Sequence, residues 1–332
     1  MRSARAATAI AGTNIALVKY WGKRDAALNL PAAGSLSLTL DRLGTRTTGR
    51  FDGGATDRVL LDGAPAAPAF AARVSAFLDR VRSHAGILAR AEVTTANSVP
   101  TAAGLASSAS GFAALALAAS RAAGLAPSPD ELSALARVGS GSAARSIFGG
   151  FVEMARGARP DGVDAIAHPL AAGDGWDVRL VVAITAAGAK PMGSTAAMDH
   201  TARTSPYYEA WVHGVDADLA AARGAIAARD LAALGAVAER SAMRMHAAAL
   251  AADPAILYWN PATIAAVERV RALRAAGTPV FFTIDAGPHV KALCAAADAD
   301  RVAAGLADAP GVLRAIVAAP GPGARLLEEA EA

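Results

Sequence analysis

Several features that decide a protein's class are scarce in this chain of 332 residues. Cys294 is the only cysteine, so no disulfide framework is possible within the chain. Aromatic residues make up 5% and charged residues 18% of the sequence, but 54% of it is hydrophobic, largely alanine, which excludes a disordered chain. The longest apolar runs, such as 112–119, fall far short of the ~20 residues of a membrane-spanning helix. We therefore expect a compact, helix-rich, soluble protein.

The sequence also lacks a charge run and several catalytic signatures. Its 32 basic and 29 acidic side chains leave a net charge of +3, with no basic cluster, so we expect no nucleic-acid or membrane partner. HExxH, GxSxG and Walker A patterns are missing, which argues against common zinc, serine-hydrolase and P-loop sites. Residues 1–12 are too short an apolar stretch for a secretory leader, so we expect a cytoplasmic protein.

The length and patterning predict two domains that meet near residue 185. A typical domain has about 150 residues, so the chain suffices for roughly two. The first half alternates between period-two and helical patterns, whereas long alanine-rich helices dominate after Gly188. We therefore expect an α+β protein with domains at 1–185 and 186–332.

Periodicity and turn residues locate the expected elements. Residues 35–40 alternate strictly, which predicts a half-buried strand, and residues 59–61, before the Asp62-Gly63 turn, predict a neighbouring strand. Ser128 followed by Pro129 predicts the start of a short helix that ends near Val138. Further strands are expected at 91–95, 178–184, 279–284 and 312–317, and helices at 69–81, 105–123, 206–228, 230–250, 261–276 and 288–297.

The segment 100–111 joins a strand to a helix through small residues. Small side chains let a bulky anion approach the backbone, and the first-turn N–H groups of a helix are unpaired and carry partial positive charge. Such a segment predicts a phosphate cradle, with hydroxyls from Ser107 and Ser108. A tight turn with serine caps is the alternative, and it is the commoner outcome for a single Gly/Ser turn.

A second loop of this kind occupies residues 139–146. It contains two glycines and two serines before Arg145, whose planar guanidinium suits a carboxylate or phosphate. Two such loops in one chain indicate two anionic ligands.

Two further segments place charged side chains at the ends of apolar strands. In residues 14–25, Lys19 and Lys23 flank an aromatic pair, so they either face a pocket or extend from a surface strand end. In residues 281–288, Asp285 stands at a Gly-Pro break, where a carboxylate either caps the next helix or acts as a base. Cys294 and His246 lie in apolar patterns and are expected to be structural.

Taken together, these segments resemble the diphosphomevalonate decarboxylases of the GHMP kinase superfamily. The matching stretches span roughly residues 10–290 and keep the family's order. They are 14–25, the phosphate loop 97–111, the Ser-Gly-Ser-x-x-Arg segment 139–153, 193–198, Thr204-Ser205 and the aspartate motif 282–288.

The resemblance implies a fold and a reaction. The fold would be an N-terminal α+β domain with a left-handed βαβ unit and a C-terminal ferredoxin-like domain, with a ligand cleft between them. The reaction would be ATP-dependent and Mg²⁺-dependent: phosphorylation of the 3-hydroxyl of mevalonate 5-diphosphate, then loss of phosphate and CO₂ to give isopentenyl diphosphate, a step of isoprenoid biosynthesis.

The resemblance also assigns roles to residues of this chain. Asp285 would orient or deprotonate the 3-hydroxyl, with Lys19 near the transferred group, while Arg145 would bind the substrate carboxylate and Asn14 would orient the aspartate or the hydroxyl. Substrate contacts are expected from Tyr20, Trp21, Gly22, Lys23, Arg73, Ser140, Gly141, Ser142, Arg145 and Thr195. The nucleotide would rest on Ala103, Gly104, Leu105, Ala106, Ser107 and Ser108, with Ser108 as a Mg²⁺ ligand.

Several alternatives stay open at this point. The same chemistry on mevalonate 5-phosphate would give isopentenyl phosphate, and a related kinase such as a mevalonate 3-kinase would stop after phosphorylation. A catalytically silent binding paralogue is a third possibility. The sequence departs from the family at 31–35, Pro-Ala-Ala-Gly-Ser, where relatives have a more polar loop. The family also implies a homodimer.

Overall fold

The computed structural model describes residues 6–98, 107–188 and 190–328, which form two large β-sheets, a small two-stranded sheet and the helices packed on them. In chain order the strands are β1 (Ala6–Val18), β2 (Lys23–Asp25), β3 (Leu30–Pro31), β4 (Ser35–Phe51), β5 (Arg58–Leu61), β6 (Ala64–Pro65), β7 (Ala91–Asn97), β8 (Phe151–Met154), β9 (Ala167–Pro169), β10 (Val178–Ile184), β11 (Val280–Ile284), β12 (Val290–Ala295), β13 (Arg314–Ala318) and β14 (Arg325–Leu326). The helices are α1 (Pro68–Ala85), α2 (Ser107–Ala122), α3 (Pro129–Gly139), α4 (Ala143–Ser146), α5 (Ser194–Thr204), α6 (Tyr208–Ala228), α7 (Leu231–Leu250), α8 (Pro261–Ala275) and α9 (Ala299–Ala307).

The first sheet is built around the long antiparallel pair β1 and β4. Its order is β14-β1-β4-β7-β5-β6. Strand β8 also pairs with the N-terminal part of β4, and β9 pairs with β8. Strands β5 and β7 are parallel and are linked through α1, which makes a βαβ unit. One apolar core packs this sheet against α1, α2 and α3, and a second fills the space toward the other sheet.

Two details of the predicted first sheet are wrong. The strand at 59–61 pairs with β6 and β7 and not with residues 35–40, because β7 lies between β5 and β4. Residues 35–40 are buried on both faces: the leucines enter the core, and the alternating Ser35, Ser37 and Thr39 are covered as well. The strict alternation therefore marks a polar interior surface and not a solvent-exposed one.

The second sheet has the order β11-β12-β10-β13 with antiparallel neighbours. Taken with its helices, the chain runs strand, helices, strand, strand, helix, strand, and the central positions belong to β12 and β10. This is the expected ferredoxin-like arrangement. Strand β10 belongs to this sheet, and the domain boundary at residue 185 stays a prediction.

The helix expected at 288–297 is wrong, because this segment forms the inner strand β12. Alanine, leucine and lysine favour a helix locally, but Val290, Ala292 and Cys294 alternate into one core while Leu293 enters another. A strand with both faces covered needs no polar face, so the alternation is hard to see in the sequence. Cys294 is fully buried, as expected for a structural residue.

The other predicted helices correspond to α1, α2, α3, α6, α7 and α8 to within a few residues, whereas α5 and α9 have no predicted counterpart. Ser128 and Glu131 form a reciprocal capping box at the start of α3, and Pro129 occupies its first turn. Asp62 and Gly63 both have positive φ, as the two-residue hairpin between β5 and β6 requires. No helix in the described ranges is long and apolar enough to cross a membrane.

Candidate active site

Asp285 lies between the amino groups of two lysines where the two sheets meet. Lys19 Nζ, just after β1, is 2.7 Å from Asp285 Oδ1, and Lys291 Nζ, on β12, is 3.0 Å from Oδ2. The side chains of Lys19 and Lys291 are 1% and 2% exposed, whereas that of Asp285 is 26% exposed. Asp285 is therefore the most exposed member of this triad, with both lysines buried around its carboxylate.

Burial and charge act in opposite directions on this triad. Burial alone would raise the pKa of the Asp285 carboxyl, but Lys19 and Lys291 hold it well below its usual value. Burial lowers the pKa of Lys19 to about 8, even though Asp285 partly offsets that effect. Asp285 is consequently ionised at neutral pH, and Lys19 is a cation whose proton is held less firmly than usual.

Asp285 reaches this position because a hairpin, and not a helix, follows it. Strand β11 ends at Ile284, which pairs with Val290, so residues 285–289 form the turn. The capping interpretation of Asp285 is therefore wrong. The hydroxyl of Thr283 donates to Ala16 O at 3.3 Å, and Lys19 N donates to Ser241 Oγ of α7 at 3.0 Å. These bonds fix the end of β1 against the second sheet.

A buried guanidinium forms the other half of the charged site. Arg145, 1% exposed in the short helix α4, donates to Ser35 Oγ at 2.6 Å, Ser37 Oγ at 2.9 Å and Asn14 Oδ1 at 3.0 Å. Asn14 in turn donates to Ser142 O at 2.9 Å and Ser146 Oγ at 2.8 Å. These bonds engage three of the five guanidinium N–H groups, so each terminal nitrogen keeps one N–H for an anion.

The charges of this network act on the triad. Burial lowers the pKa of Arg145 to about 10, and Asp285 counteracts that shift. Arg145 also lowers the pKa of Lys19. The structure thus brings together all four residues that the sequence analysis expected to be catalytic: Asn14, Lys19, Arg145 and Asp285.

The expected substrate-binding residues of the segment 14–25 lie next to this network. Among the described residues, Tyr20 Oη and Trp21 Nε1 are buried and have no hydrogen-bond partner, which is costly unless a ligand satisfies them. A Cβ on Gly141 would approach Tyr20 Oη to 2.1 Å, and Gly22 has a φ of 99° against Tyr208. Both glycines are needed for this close packing. Lys19 is fully buried, so the interpretation of its side chain as extending from a surface strand end is wrong. Lys23 is half-buried.

A cavity of about 300 Å³ opens beside Ser108 at the start of α2. Its wall is apolar at Leu61, Phe70 and Val93 and polar at Thr45 and Thr47. Such a mixture suits a flat heteroaromatic ring with a hydrogen-bonding edge. The other lining residues are Arg73, Val74, Thr95, Asn97, Ser108, Gly111, Phe112 and Leu115.

Arg73 belongs to the wall of this cavity. Its guanidinium lies 4.6 Å from the centre of the Phe112 ring and donates to Gly139 O at 2.6 Å. Ser140 donates to Ser108 Oγ at 3.4 Å, which links the second small-residue loop to the cavity.

Part of the predicted nucleotide loop lies outside the described residues. This applies to Ala103, Gly104, Leu105 and Ala106, while Ser107 is described only as the first residue of α2. Thr195 is exposed in the first turn of α5 and has no described bond to the triad. Its neighbour Ser194 accepts from Lys190 Nζ at 2.6 Å, and Lys190 also donates to Ala286 O at 2.9 Å.

Sequence reasoning missed Lys190, Lys291, Ser35 and Ser37. The signal for Lys291 is a lone charge in an apolar segment, and the helix predicted at 288–297 does not place this charge next to Asp285. The two serines alternate with leucines and were read as solvent-facing. No cluster of three or more His, Cys, Asp or Glu side chains within the described ranges could hold a metal ion.

Two family models match this chain. The diphosphomevalonate decarboxylase-like N-terminal domain matches residues 11–167, and the mevalonate 5-diphosphate decarboxylase C-terminal domain matches residues 180–311. The diphosphomevalonate decarboxylase of Aspergillus fumigatus is 38% identical over 308 residues, which cover 87% of this chain and 76% of that protein.

Solved structures agree with these sequence matches. One, of MDDEF in complex with MVAPP, AMPPCP and magnesium, has a TM-score of 0.91 and 39% identity, covering 98% of this chain and 100% of that one. The mevalonate diphosphate decarboxylase of Staphylococcus aureus has a TM-score of 0.92 and 37% identity, covering 98% of each chain. The GHMP-kinase-like two-domain fold implied by the sequence motifs is therefore confirmed.

Proposed function

The chain belongs to the diphosphomevalonate decarboxylase family, and from that premise we propose that it converts mevalonate 5-diphosphate and ATP into isopentenyl diphosphate, ADP, phosphate and CO₂. The observation that carries this proposal is the ionised Asp285 held by two buried lysines within the field of Arg145. The solved relative that binds MVAPP favours the diphosphate over the monophosphate as substrate.

We place the nucleotide base in the cavity beside Ser108. Its volume and its mixture of apolar and hydroxyl-bearing walls suit an adenine ring. The N-terminus of α2 lies in the same region, and the positive end of a helix favours phosphates. When bound, ATP would supply the phosphoryl group and Mg²⁺ would neutralise its charge; a solved relative holds the ATP analogue AMPPCP together with magnesium.

Asp285 serves as the acceptor that orients the 3-hydroxyl and receives its proton. A carboxylate with a lowered pKa is a weak base, but phosphoryl transfer depends more on positioning than on basicity. Once the 3-phosphate leaves, positive charge develops at C3, and the same carboxylate stabilises it electrostatically. Lys19, beside Asp285 Oδ1, stabilises the negative charge of the transferred group.

Arg145 binds the substrate carboxylate that becomes CO₂. Its two remaining N–H groups form a planar fork, and Asn14, Ser35 and Ser37 hold that fork in place. The unpartnered Tyr20 Oη and Trp21 Nε1 supply donors to the substrate. Diphosphate contacts are assigned to Lys23, Ser140, Ser142 and Thr195, with Arg73 on the cavity side.

We also propose that the protein acts as a homodimer in the cytoplasm. Met243 and Leu250 are seven residues apart on α7 and both are 39% exposed, which gives this helix an apolar stripe suited to a second copy. The single, buried Cys294 is consistent with a reducing compartment.

Turnover of two substrates tests the proposed function. The purified protein is incubated with ATP, Mg²⁺ and either mevalonate 5-diphosphate or mevalonate 5-phosphate, and products are identified by mass spectrometry. We expect isopentenyl diphosphate and a kcat/KM at least tenfold higher for the diphosphate. A preference for the monophosphate would overturn the substrate assignment, and nucleotide binding without turnover would indicate a silent paralogue.

A further inference from the structure

Lysine is a rare residue in this chain, and its positions are not scattered. Only four of the 32 basic side chains are lysines: Lys19, Lys23, Lys190 and Lys291. Arginine is the default cation elsewhere, and it forms every ion pair of the described residues except the two that involve Asp285. A compact ammonium is therefore retained where the chain otherwise uses a guanidinium, although the two are not interchangeable.

Lys291 has an unusual place for a charged side chain. It lies on the inner strand β12, opposite Thr283 of β11 and Val182 of β10, and is 1% exposed. A charge buried this deeply needs a partner, and among the described residues it forms an ion pair with Asp285 Oδ2 at 3.0 Å. Lys19 has a second partner, because it also donates to Ala16 O at 2.7 Å, and it follows strand β1 of the other sheet.

The two lysines hold different oxygens of one carboxylate. Lys19 takes Oδ1 from the β1 side, and Lys291 takes Oδ2 from the β12 side. A carboxylate bound at both oxygens cannot rotate about its Cβ–Cγ bond without losing an ion pair. Catalytic geometry is sensitive to such rotations, since a misplacement of about 1 Å can cost about 100-fold in rate.

We propose that Lys291 is a positioning residue that fixes the plane of the Asp285 carboxylate through Oδ2 for the reaction. The inference rests on the proposed function, and it adds a residue that acts on Asp285 from behind and does not touch the substrate. Lys19 keeps its contact with Oδ1, and its positive charge also acts on the transferred phosphoryl group.

Charges from every surrounding element act on this pair. Besides Lys291, the cations near Asp285 are Lys19 at the end of β1, Arg145 of α4 and Lys190 before α5; His246 of α7 also lies near Asp285, and His289 of the turn lies near Lys291. Burial lowers the pKa of His246 to about 3 and of His289 to about 4, so both are neutral near pH 7. Asp285 is the only anion among these groups, and loss of Lys291 removes one of the two cations bonded to it.

Three variants test the proposal by steady-state kinetics. Lys291→Met keeps the length of the side chain and removes its charge, Lys291→Arg keeps the charge and changes its shape, and Arg179→Met is the control. Arg179 is on the neighbouring strand β10 and pairs with Asp177, away from the triad. We expect Lys291→Met to lower kcat about 10- to 100-fold with KM for both substrates changed less than about threefold, and the control to stay within twofold.

The pH dependence separates positioning from a loss of folding. Because Lys291 lowers the pKa of Asp285, its removal raises that pKa, so the acid limb of kcat/KM should move to higher pH in Lys291→Met and return in Lys291→Arg. An unchanged kcat with an unmoved acid limb would overturn the proposal. So would a fall in kcat that merely follows a fall in the thermal unfolding temperature.

A readout without turnover keeps this inference separate from the proposed function. In protein labelled with ¹³C at the Asp side-chain carboxyls, the Asp285 resonance, assigned by its loss in Asp285→Asn, should titrate at higher pH in Lys291→Met than in wild type. If the wild type does not turn over mevalonate 5-diphosphate, the proposed function fails, and this titration still decides the role of Lys291. An identical titration in both proteins would contradict the positioning role.

Discussion

At the scale of single residues, burial changes what Asp285, Lys19 and Arg145 can do. On the surface each would be an ordinary solvated charge. Here burial disfavours the charged forms: the neighbouring lysines keep the Asp285 carboxylate ionised, and the lowered pKa values of Lys19 and Arg145 mean that they hold their protons less firmly. Their chemistry therefore depends on one another, so removal of one member has consequences for the others.

Replacing Asp285 by Asn should abolish catalysis and spare binding. The amide keeps the shape but loses the negative charge and the proton acceptor, so we expect kcat to fall by about 1000-fold or more for both ADP and CO₂ formation. Calorimetry should give a dissociation constant for mevalonate 5-diphosphate within tenfold of wild type. Asp177→Asn, at a side chain 74% exposed, is the control and should behave as wild type. Normal turnover by Asp285→Asn would remove this residue from the mechanism.

Replacing Arg145 by Lys should weaken the binding of the substrate more than the binding of the nucleotide. The ammonium keeps the charge but cannot bond Ser35, Ser37 and a carboxylate in one plane. We expect KM for mevalonate 5-diphosphate to rise about 10- to 100-fold, since a hydrogen bond to a charged group is worth about 1.5 to 3 kcal/mol, while KM for ATP changes little.

Arg159→Lys provides the matched control for that variant. Arg159 pairs with Asp161 at an exposed site, where the exchange should leave both KM values within twofold. Equal increases in the two KM values of Arg145→Lys would show that the guanidinium supports the whole site and not the substrate carboxylate.

The residues that could be found from sequence are those in ordered motifs. Asp285, Lys19, Arg145 and Asn14 stand in segments with a recognisable pattern, and the structure brings them together. Lys291 carries no motif, and only the three-dimensional pairing of β11 with β12 places it behind Asp285. Ser35 and Ser37 were visible as a period-two pattern, but the sequence does not show that the polar side faces a buried arginine.

At the scale of elements, the hairpin of β11 and β12 decides whether the site exists. A helix after Asp285 would have turned this carboxylate into a cap, whereas the strand brings Lys291 to its second oxygen. Local propensity favoured the helix because alanine, leucine and lysine are good helix formers. Pairing with β10 and burial of both faces overrode that preference, which no window of sequence could reveal.

An ion pair between the segment before β5 and helix α1 should matter for stability. The side chain of Asp57 is 3% exposed, and its Oδ1 lies 2.9 Å from Arg82 Nη1. The carboxylate also accepts hydrogen bonds from the hydroxyl of Ser75 and, at 2.8 Å, from Ala91 N. Asp57→Asn leaves the buried Arg82 with the more exposed Asp79 as its remaining described charge partner, so we expect a loss of about 2 kcal/mol in the free energy of unfolding at pH 7. Urea denaturation measures it, with the exposed Asp161→Asn as the control.

The pH dependence of that loss has a definite sign. Burial alone would raise the pKa of Asp57, but its bonds to Arg82, Ser75 and Ala91 lower it below its usual value. The stabilisation is therefore complete above the unfolded pKa of about 3.9 and is lost as the pH falls through the folded pKa. The difference between wild type and Asp57→Asn should shrink below about pH 4, and a difference that grows on acidification would contradict this assignment.

At the scale of the whole molecule, the site joins parts of the chain that are distant in sequence. Lys19 and Asp285 are 266 residues apart, yet their charged atoms are 2.7 Å apart. The two-domain α+β class could be predicted from the change in pattern after Gly188. The packing of the two sheets against each other could not, because it depends on the buried ends of β1, β11 and β12.

The ratio of CO₂ released to ADP formed tests the central claim most directly, since the same carboxylate is assigned to both phosphoryl transfer and decarboxylation. With mevalonate 5-diphosphate, ATP and Mg²⁺, coupled ADP detection and trapping of ¹⁴CO₂ from carboxyl-labelled substrate should give a ratio of about 1:1 throughout the reaction. ADP formation without CO₂ release would contradict the account, because the site would then be that of a kinase.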